Sequence, residues 1–389
     1  MSTRTTVLFF HIASDSFGGG SQMLLRLLKG IDKDEFEPVV LAQFHDELCR
    51  RAEENGIRVE IVPFRGTLDT YNQNLLSTSP IKVVKTGFRI CQFNLEARRL
   101  LGEVDIIWCK NLRAVLTIGP YALVSDTPII WNIGLGLDSS GMVRYLNTLA
   151  LRLASRVFIE SRTQAKSIFT DGQYRQYEEK FVVFNKGIDT DRFDPEPFEN
   201  EDHSTLRVGT AASLTPRKGL EYFIGSAKEI NARVEADVNF LIAGETSTPE
   251  DEVYVQSLQE RVKQHELEDS VQFLGWVDEM AAYLNSLDVF VLPSLNEGIP
   301  GAVREALAME IPVVATDVGG TEEAVLNGET GLLVPPKDST AIADSVEHLL
   351  VNPDERHRMG ANAREHVIAE FSMEGYTNRY EEFLRRLSE

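Results

Sequence analysis

Short apolar runs alternate with longer amphipathic stretches along almost the whole chain, and this alternation constrains the fold more than any other feature. Several runs carry polar residues only at their ends, which is typical of parallel strands covered by helices on both faces. Strands that alternate with helices form right-handed βαβ units, so the sequence predicts an α/β fold with doubly wound sheets. The predicted strands cover 7–12, 38–42, 58–62, 104–109, 128–132, 156–161, 181–185, 206–210, 238–244, 271–274, 289–293 and 312–316.

An acidic segment with two prolines and no periodicity, residues 189–205, interrupts this pattern and has the composition of a linker. We therefore expect a first Rossmann-like domain over 1–190, a linker over 191–205 and a second domain over 206–372. A final helix over 373–389 is expected to join the first domain. Two such domains predict a ligand cleft at the carboxyl ends of their strands. The predicted helices include 22–29, 46–55, 143–155, 220–231, 251–265, 277–286 and 303–309.

The charge of the chain limits its partners. Its 389 residues include 60 acidic and 39 basic side chains, which give a formal net charge of −21. A surface that binds nucleic acid needs a large positively charged area, so nucleic acid is not an expected partner. Cys49, Cys91 and Cys109 are sparse and form no CxxC pair, which favours a reducing cytoplasm. No run of about 18 apolar residues occurs, so we expect at most peripheral contact with a membrane.

A glycine-rich turn follows the first predicted strand and precedes an amphipathic stretch. Gly18, Gly19 and Gly20 would let the backbone approach a ligand, and the start of the next helix would offer unpaired N–H groups to an anion. The turn is not the dinucleotide-binding G-x-G-x-x-G pattern, because Ser21 and Gln22 follow it. A tight turn without a ligand is the alternative.

Two adjacent cations, Arg217 and Lys218, follow the first strand of the second half and lie between Pro216 and Gly219. A guanidinium suits forked recognition of phosphate oxygens, and an ammonium acts as a point charge. In so acidic a chain the pair indicates a phosphate site. The alternative is an exposed loop whose charges are simply solvated.

Glu297 and Glu305 lie eight residues apart around a Gly/Pro-rich loop, with a helix predicted to begin near Ala302. The first N–H groups of that helix, from Gly301 to Val303, can face an anion, while the carboxylates accept hydrogen bonds from hydroxyls. A nucleotide sugar carries hydroxyls beside phosphate, so this arrangement suits such a ligand. The alternative is that one carboxylate merely caps the helix dipole.

These motifs together resemble retaining glycosyltransferases of family 4. Glu297 and Glu305 stand as in the E-x7-E signature of that family, and Arg217, Lys218 and Gly219 are similar to its phosphate-binding R-K-G segment. The resemblance covers nearly the whole chain and is strongest from about residue 182 to 336. Further matching segments are 185–193, 273–277, 288–294, 312–320 and 328–335.

The resemblance implies the GT-B fold, with a nucleotide-sugar donor held mainly by the second domain and a saccharide, glycolipid or small-molecule acceptor by the first. It implies that Arg217 and Lys218 hold the donor diphosphate, that Glu305 binds the ribose hydroxyls, and that Glu297 binds the transferred sugar. The nucleobase would lie near Trp276. The implied donor-binding residues are Gly19, Gly20, Asn132, Trp276, Val277, Gly298, Ile299, Pro300, Gly301, Ala302 and Glu305.

Two departures from the family pattern matter. Many relatives place an arginine where this chain has Ala212 and Ser213, and a histidine where it has Asn132. Asn132 can orient a hydroxyl but cannot act as a base. No DxD-type metal motif or dinucleotide fingerprint is found, so we expect neither a metal nor another cofactor, and a dehydrogenase is disfavoured. A nucleotide-sugar epimerase and a catalytically silent sugar-binding relative remain alternatives.

Overall fold

The protein divides into two compact units. The computed structural model describes residues 4–13, 19–63, 80–133, 141–198, 205–246 and 249–388. One unit comprises Met1–Gly187 with Met373–Glu389, and the other comprises Ile188–Ser372. The boundary therefore falls a few residues before the predicted one. Gly18 and residues 199–204 of the predicted linker lie outside the described residues.

The first unit is built on a parallel sheet of seven strands in the order β3-β2-β1-β4-β5-β6-β7. Its strands are β1 Thr5–Phe10, β2 Phe36–Ala42, β3 Arg58–Ile61, β4 Ile106–Cys109, β5 Ile129–Asn132, β6 Arg156–Ile159 and β7 Phe181–Val183. Its helices are α1 Gly19–Gly30, α2 Glu47–Glu54, α3 Pro80–Leu101, α4 Leu112–Ala122, α5 Gly141–Leu153, α6 Arg162–Ile168, α7 Asp171–Gln176 and α15 Met373–Ser388.

The second unit is built on a parallel sheet of six strands in the order β10-β9-β8-β11-β12-β13. Its strands are β8 Leu206–Ala211, β9 Val238–Ala243, β10 Val271–Gly275, β11 Val289–Leu292, β12 Val313–Thr316 and β13 Gly331–Val334. Its helices are α8 Leu220–Arg233, α9 Pro249–Gln264, α10 Met280–Asn285, α11 Gly301–Ala308, α12 Thr321–Ala324, α13 Ser339–Val351 and α14 Pro353–Phe371.

Both sheets confirm the predicted doubly wound α/β fold. In each unit the strand order reverses direction beside the first strand, between β1 and β4 and between β8 and β11. Apolar side chains from both faces of the strands lie in separate clusters, as expected when helices cover both sides of a sheet. The reversal leaves a crevice at the carboxyl ends of these strands, which is where ligands bind in folds of this kind.

The predicted linker is wrong at its beginning, because residues 188–198 pack on the second unit. Phe193 is buried in the apolar core of that unit. Arg364 of α14 donates to the carbonyl oxygens of Phe193 and Ala308, at 2.9 and 2.6 Å, and to the carboxylate of Asp194 at 2.9 Å. A segment without periodicity can still be ordered when one aromatic side chain and one arginine hold it.

The final helix, α15, packs on the first unit. Tyr376, Tyr380 and Leu384 lie in an apolar cluster with side chains of β1 and α1. The carboxylate of Glu381 accepts a hydrogen bond from the backbone N–H of Asp32 at 2.7 Å. Within the described part of the chain, no helix combines the length and apolar character needed to cross a membrane.

Candidate active site

The two cations singled out from the sequence meet Glu297 in the second unit. Lys218 Nζ donates to Glu297 Oε1 at 2.6 Å, and Arg217 Nη1 lies 3.5 Å from Glu297 Oε2. The side chain of Lys218 is 14% exposed and that of Glu297 only 5%, whereas the side chain of Arg217 is 45% exposed. The expectation of a simply solvated loop is therefore wrong for Lys218.

The local backbone conformation holds Arg217 and Lys218 close to Glu297. Pro216 starts a 3-10 turn that ends at Lys218, and Gly219 follows with φ of 62°. A Cβ on Gly219 would lie 2.2 Å from the carbonyl oxygen of Pro293, so glycine is required there for both conformation and space. The backbone N–H of Leu295 donates to the carbonyl oxygen of Arg217 at 2.8 Å. These contacts hold the cations against the loop that carries Glu297.

Ser294 and Gly319 complete the surroundings of Glu297; both lie in segments that match the family, but the sequence assigned neither a role. Ser294 Oγ is buried and donates to Glu297 Oε1 at 2.6 Å. A Cβ on Gly319, whose φ is 61°, would lie 1.8 Å from the carbonyl oxygen of Glu297. The carboxylate of Glu297 is thus held by a hydroxyl and two cations, and its backbone is packed against a glycine.

The loop after Glu297 leads directly into α11. The carbonyl oxygen of Gly298 accepts from the N–H of Gly320 at 2.9 Å. Ile299 is buried in the apolar core, so only its backbone can serve a ligand. Helix α11 begins at Gly301, and Pro300 before it supplies no side-chain cap. The first N–H groups of the helix therefore lack a side-chain partner at the N-cap, as an anion site requires.

A pocket of about 350 Å³ lies at the carboxyl ends of β8, β9 and β10. Trp276, Val277, Ala302 and Glu305 line it together, so the structure brings four predicted donor-binding residues into one place. Trp276 is 68% exposed, and its indole N–H donates to Asp278 at 2.9 Å. An aromatic face and a carboxylate in one pocket can take a base and the hydroxyls of a sugar.

Two of the predicted residues of the first unit lie around a smaller pocket of about 90 Å³. Gly20 at the start of α1 and Asn132 at the end of β5 both line it. Lys110 and Lys186 line the same pocket, although the sequence analysis assigned no role to either. Gly19 is the first residue of α1.

Lys110 belongs to a network of polar contacts with Ser21, His11 and Asp46. Its ammonium lies 3.0 Å from Ser21 Oγ and 3.2 Å from His11 Nδ1, while His11 Nε2 lies 2.7 Å from Asp46 Oδ2. An ammonium can only donate, so Nδ1 accepts and the proton of His11 lies on Nε2, which donates to Asp46. Burial lowers the pKa of His11, which favours this neutral form.

The described residues contain no group of three or more His, Cys, Asp or Glu side chains placed to hold a metal ion. The cationic side chains described at the two sites are Arg217, Lys218, Lys110 and Lys186. One feature of the sequence could have indicated a role for Lys110. It directly follows the buried strand β4, and ligands bind at the carboxyl ends of strands in folds of this kind.

The comparisons with known proteins agree with this geometry. The model of the family described as "Glycosyl transferases group 1" matches residues 192–366. A GDP-mannose-dependent alpha-(1-6)-phosphatidylinositol monomannoside mannosyltransferase of Mycobacterium tuberculosis is 30% identical over 315 residues, which are 75% of this chain and 79% of that protein. The chain belongs to the glycosyl transferases group 1 family. The protein is therefore a glycosyltransferase by family.

A further curated protein and two solved structures are also similar to this glycosyltransferase. The capsular polysaccharide biosynthesis glycosyltransferase CapM of Staphylococcus aureus is 28% identical over 64% of this chain and 68% of its own length. Anabaena Alr3699/HepE, solved in complex with UDP, is 19% identical with a TM-score of 0.78 over 98% of this chain and all of that one. A glycosyltransferase from Rickettsia africae has a TM-score of 0.79 at 17% identity, over 99% and 98% of the two chains. Both solved structures support the GT-B fold for this chain.

Proposed function

We propose that this glycosyltransferase moves a sugar from a nucleoside-diphosphate sugar to an acceptor hydroxyl with retention of anomeric configuration. The observation that carries the proposal is the contact of Lys218 and Arg217 with the buried carboxylate of Glu297. Ser213, five residues before Lys218, and Ala302, five residues after Glu297, both line the pocket that also contains Trp276 and Glu305. The proposed pathway is the synthesis of a polysaccharide, lipopolysaccharide or other glycoconjugate, as the names of several relatives suggest.

Each part of the donor has a place in this proposal. The base stacks on Trp276, whose face is largely exposed, and Glu305 accepts from the ribose hydroxyls. Lys218, Arg217 and the first N–H groups of α11 stabilise the diphosphate. Glu297 binds the transferred sugar and positions Lys218. The relatives leave the base open, because one is named for GDP-mannose and another is solved with UDP.

The proposed reaction is a substitution on one face of the sugar. The bond from C1 to the diphosphate oxygen breaks, the bond from C1 to the acceptor oxygen forms, and the hydroxyl proton goes to the departing diphosphate. Glu297 is a poor candidate for a nucleophile, because Lys218 and Ser294 both donate to its Oε1. The protein contributes by stabilising the charge that develops on the diphosphate and by orienting the acceptor, and it needs no metal.

The test is a transfer assay with a panel of UDP- and GDP-sugars and saccharide acceptors, read by proton NMR of the anomeric centre. The expected product keeps the anomeric configuration of the donor, and Lys218→Ala lowers the rate about a hundredfold or more. An exposed lysine of α8 in the same unit, Lys228, supplies the control variant Lys228→Ala. An inverted product, or normal transfer by folded Lys218→Ala protein, contradicts the proposal.

The same assay separates the alternative functions. An epimerase changes the nucleotide sugar without an acceptor, whereas a transferase forms a new glycoside only when an acceptor is present. A silent binding protein gives neither product, although nucleoside diphosphates still raise its melting temperature by mass action. Asn132, which stands where many relatives carry histidine, motivates this second alternative.

A further inference from the structure

Polar side chains gather at the carboxyl edge of the sheet in the first unit. His11 follows β1, Lys110 follows β4, Asn132 ends β5 and Glu160 follows β6. Lys186 lies three residues beyond the last residue of β7. These strands are neighbours in the sheet, so one edge collects residues that are widely separated in the sequence.

The small pocket at this edge contains two cations. Lys110 and Lys186 both line it, together with Asn132 and with Gly20 in the first turn of α1. That first turn contains no acidic residue. The residues that line the pocket therefore include two lysines, an asparagine and the first turn of a helix, all of which can donate hydrogen bonds to an anion.

The other wall of this pocket is aromatic. Trp108, Phe184 and Tyr376 line it, and Tyr376 belongs to the buried cluster under α15. Apolar walls exclude water and strengthen the attraction between the ammonium groups and an anion. The pocket is thus lined by both polar and apolar side chains, which suits one charged group of a larger molecule.

The charges around Lys110 include the carboxylate of Asp46 and the ammonium group of Lys186. Burial lowers the pKa of Lys110 to about 8; nearby Asp46 opposes this shift and Lys186 adds to it. Asp46 is held by His11, and Lys186 forms an ion pair with Glu160. An oxyanion in the pocket gives both lysines a further negative partner, in addition to these two carboxylates.

We propose that Lys110 and Lys186 form a binding site for a phosphate-like oxyanion of a substrate, with Asn132 and the N-terminus of α1 as further donors. The proposal rests on the proposed function, because it assumes a substrate that carries phosphate. That group is either the diphosphate of the donor or a phosphate on the acceptor. The Asp46–His11 pair positions Lys110 and does not contact the oxyanion.

The test titrates the whole protein with inorganic sulfate at constant ionic strength and about pH 7, read by calorimetry. Lys110→Gln and Lys186→Gln are each expected to weaken sulfate binding about tenfold, the value of one lost charge-assisted hydrogen bond. The control is Lys29→Gln, an exposed lysine in the last turn of α1. Unchanged binding in both folded variants, checked by circular dichroism, overturns the proposal.

The pH dependence supplies an independent readout, because sulfate keeps its charge between about pH 6 and 10. As Lys110 loses its proton near pH 8, sulfate binding weakens in the wild-type protein. Asp46 and Lys186 act on the charge of Lys110, and His11 contacts its ammonium group, so these three groups influence the pH at which sulfate binding falls by half. Glu160 is the ion-pair partner of Lys186. Lys110→Arg keeps its charge and is expected to bind sulfate equally at pH 7 and 9.5. A wild-type affinity that does not change with pH overturns the role of Lys110.

Kinetics then identify the source of the oxyanion. A raised KM for the donor in Lys110→Gln indicates the donor diphosphate, and a raised KM for the acceptor indicates an acceptor phosphate. No change in either constant contradicts a substrate site. Sulfate binding requires no turnover, so a protein that binds sulfate through Lys110 but transfers no sugar contradicts the proposed function and leaves the anion site in place.

Discussion

Lys218 Nζ lies 2.6 Å from Glu297 Oε1, although 79 residues separate the two in the sequence. The contact joins the turn after β8 to the loop after β11, which are neighbouring strands of one sheet. Both side chains are largely buried, so each depends on the other for a partner of opposite charge. This pair connects the stability of the second unit with its proposed chemistry.

Breaking this ion pair is expected to destabilise the fold. Lys218→Met leaves Glu297 with Ser294 and Arg217, and the loss of a buried partner costs about 3 kcal/mol of unfolding free energy. The double variant Lys218→Met/Glu297→Gln should lose less than the sum of the two single variants, because no charge remains buried without its partner. Urea unfolding measures all three, and additive losses would contradict a coupled pair.

Gly319 is expected to be essential to the position of Glu297. In Gly319→Ala the new Cβ would meet the carbonyl oxygen of Glu297 at 1.8 Å, so the loop must move, and transfer should fall at least about tenfold. Gly328→Ala is a matched control, since its φ is 81° but no atom lies within 4 Å of the added Cβ. The control should lose only about 1 kcal/mol of stability and keep its activity. Equal activity loss in both variants would show that backbone strain alone is responsible.

Trp276 is expected to act on donor affinity rather than on stability. Its side chain is 68% exposed, so Trp276→Ala should leave the melting temperature nearly unchanged. Loss of base stacking weakens nucleoside-diphosphate binding by about 1 to 3 kcal/mol, which is roughly 5- to 150-fold. Trp276→Phe should retain most of the affinity. A Trp276→Ala protein with wild-type affinity for the donor would place the base elsewhere.

Lys110 is expected to lower the stability of the first unit at neutral pH. Its folded pKa of about 8 lies below the unfolded value of 10.5, so the unfolded chain binds more protons between these values and stability rises with pH there. Lys110→Met should therefore stabilise the protein at pH 7, by about 1 to 2 kcal/mol after its lost hydrogen bonds. The gain should vanish near pH 10.5. Denaturant unfolding at both pH values checks this, and a gain independent of pH would contradict it.

The strands were predictable because buried parallel strands are nearly continuous apolar runs. Of the observed strands, β13, Gly331–Val334, was missed as a strand, since four residues after a turn give little periodicity. The 22-residue helix α3 was missed because its exposed face also carries apolar side chains, Phe88 and Leu95, which blur the helical pattern. Phe193 was assigned to a linker because its burial depends on Arg364, 171 residues away.

The residues of the candidate sites also fall into two groups, those that the sequence predicts and those that it does not. Arg217, Lys218, Glu297 and Glu305 were predictable, because each lies in a motif of adjacent residues whose chemistry is visible locally. Lys110 has no such motif: its contacts with Ser21 and His11 span 89 and 99 residues. Only the order of strands in the sheet brings them together.

The most direct measurement of the central claim is calorimetric binding of UDP and GDP to the wild-type protein and to Lys218→Gln, with Lys228→Gln as the control. If Lys218 and Arg217 hold the diphosphate, the wild-type and control proteins bind at least one nucleotide, and Lys218→Gln binds it about tenfold more weakly or worse. Circular dichroism must show that the variant is folded. Wild-type affinity in folded Lys218→Gln protein, or no binding of either nucleotide by the wild-type protein, would contradict the account.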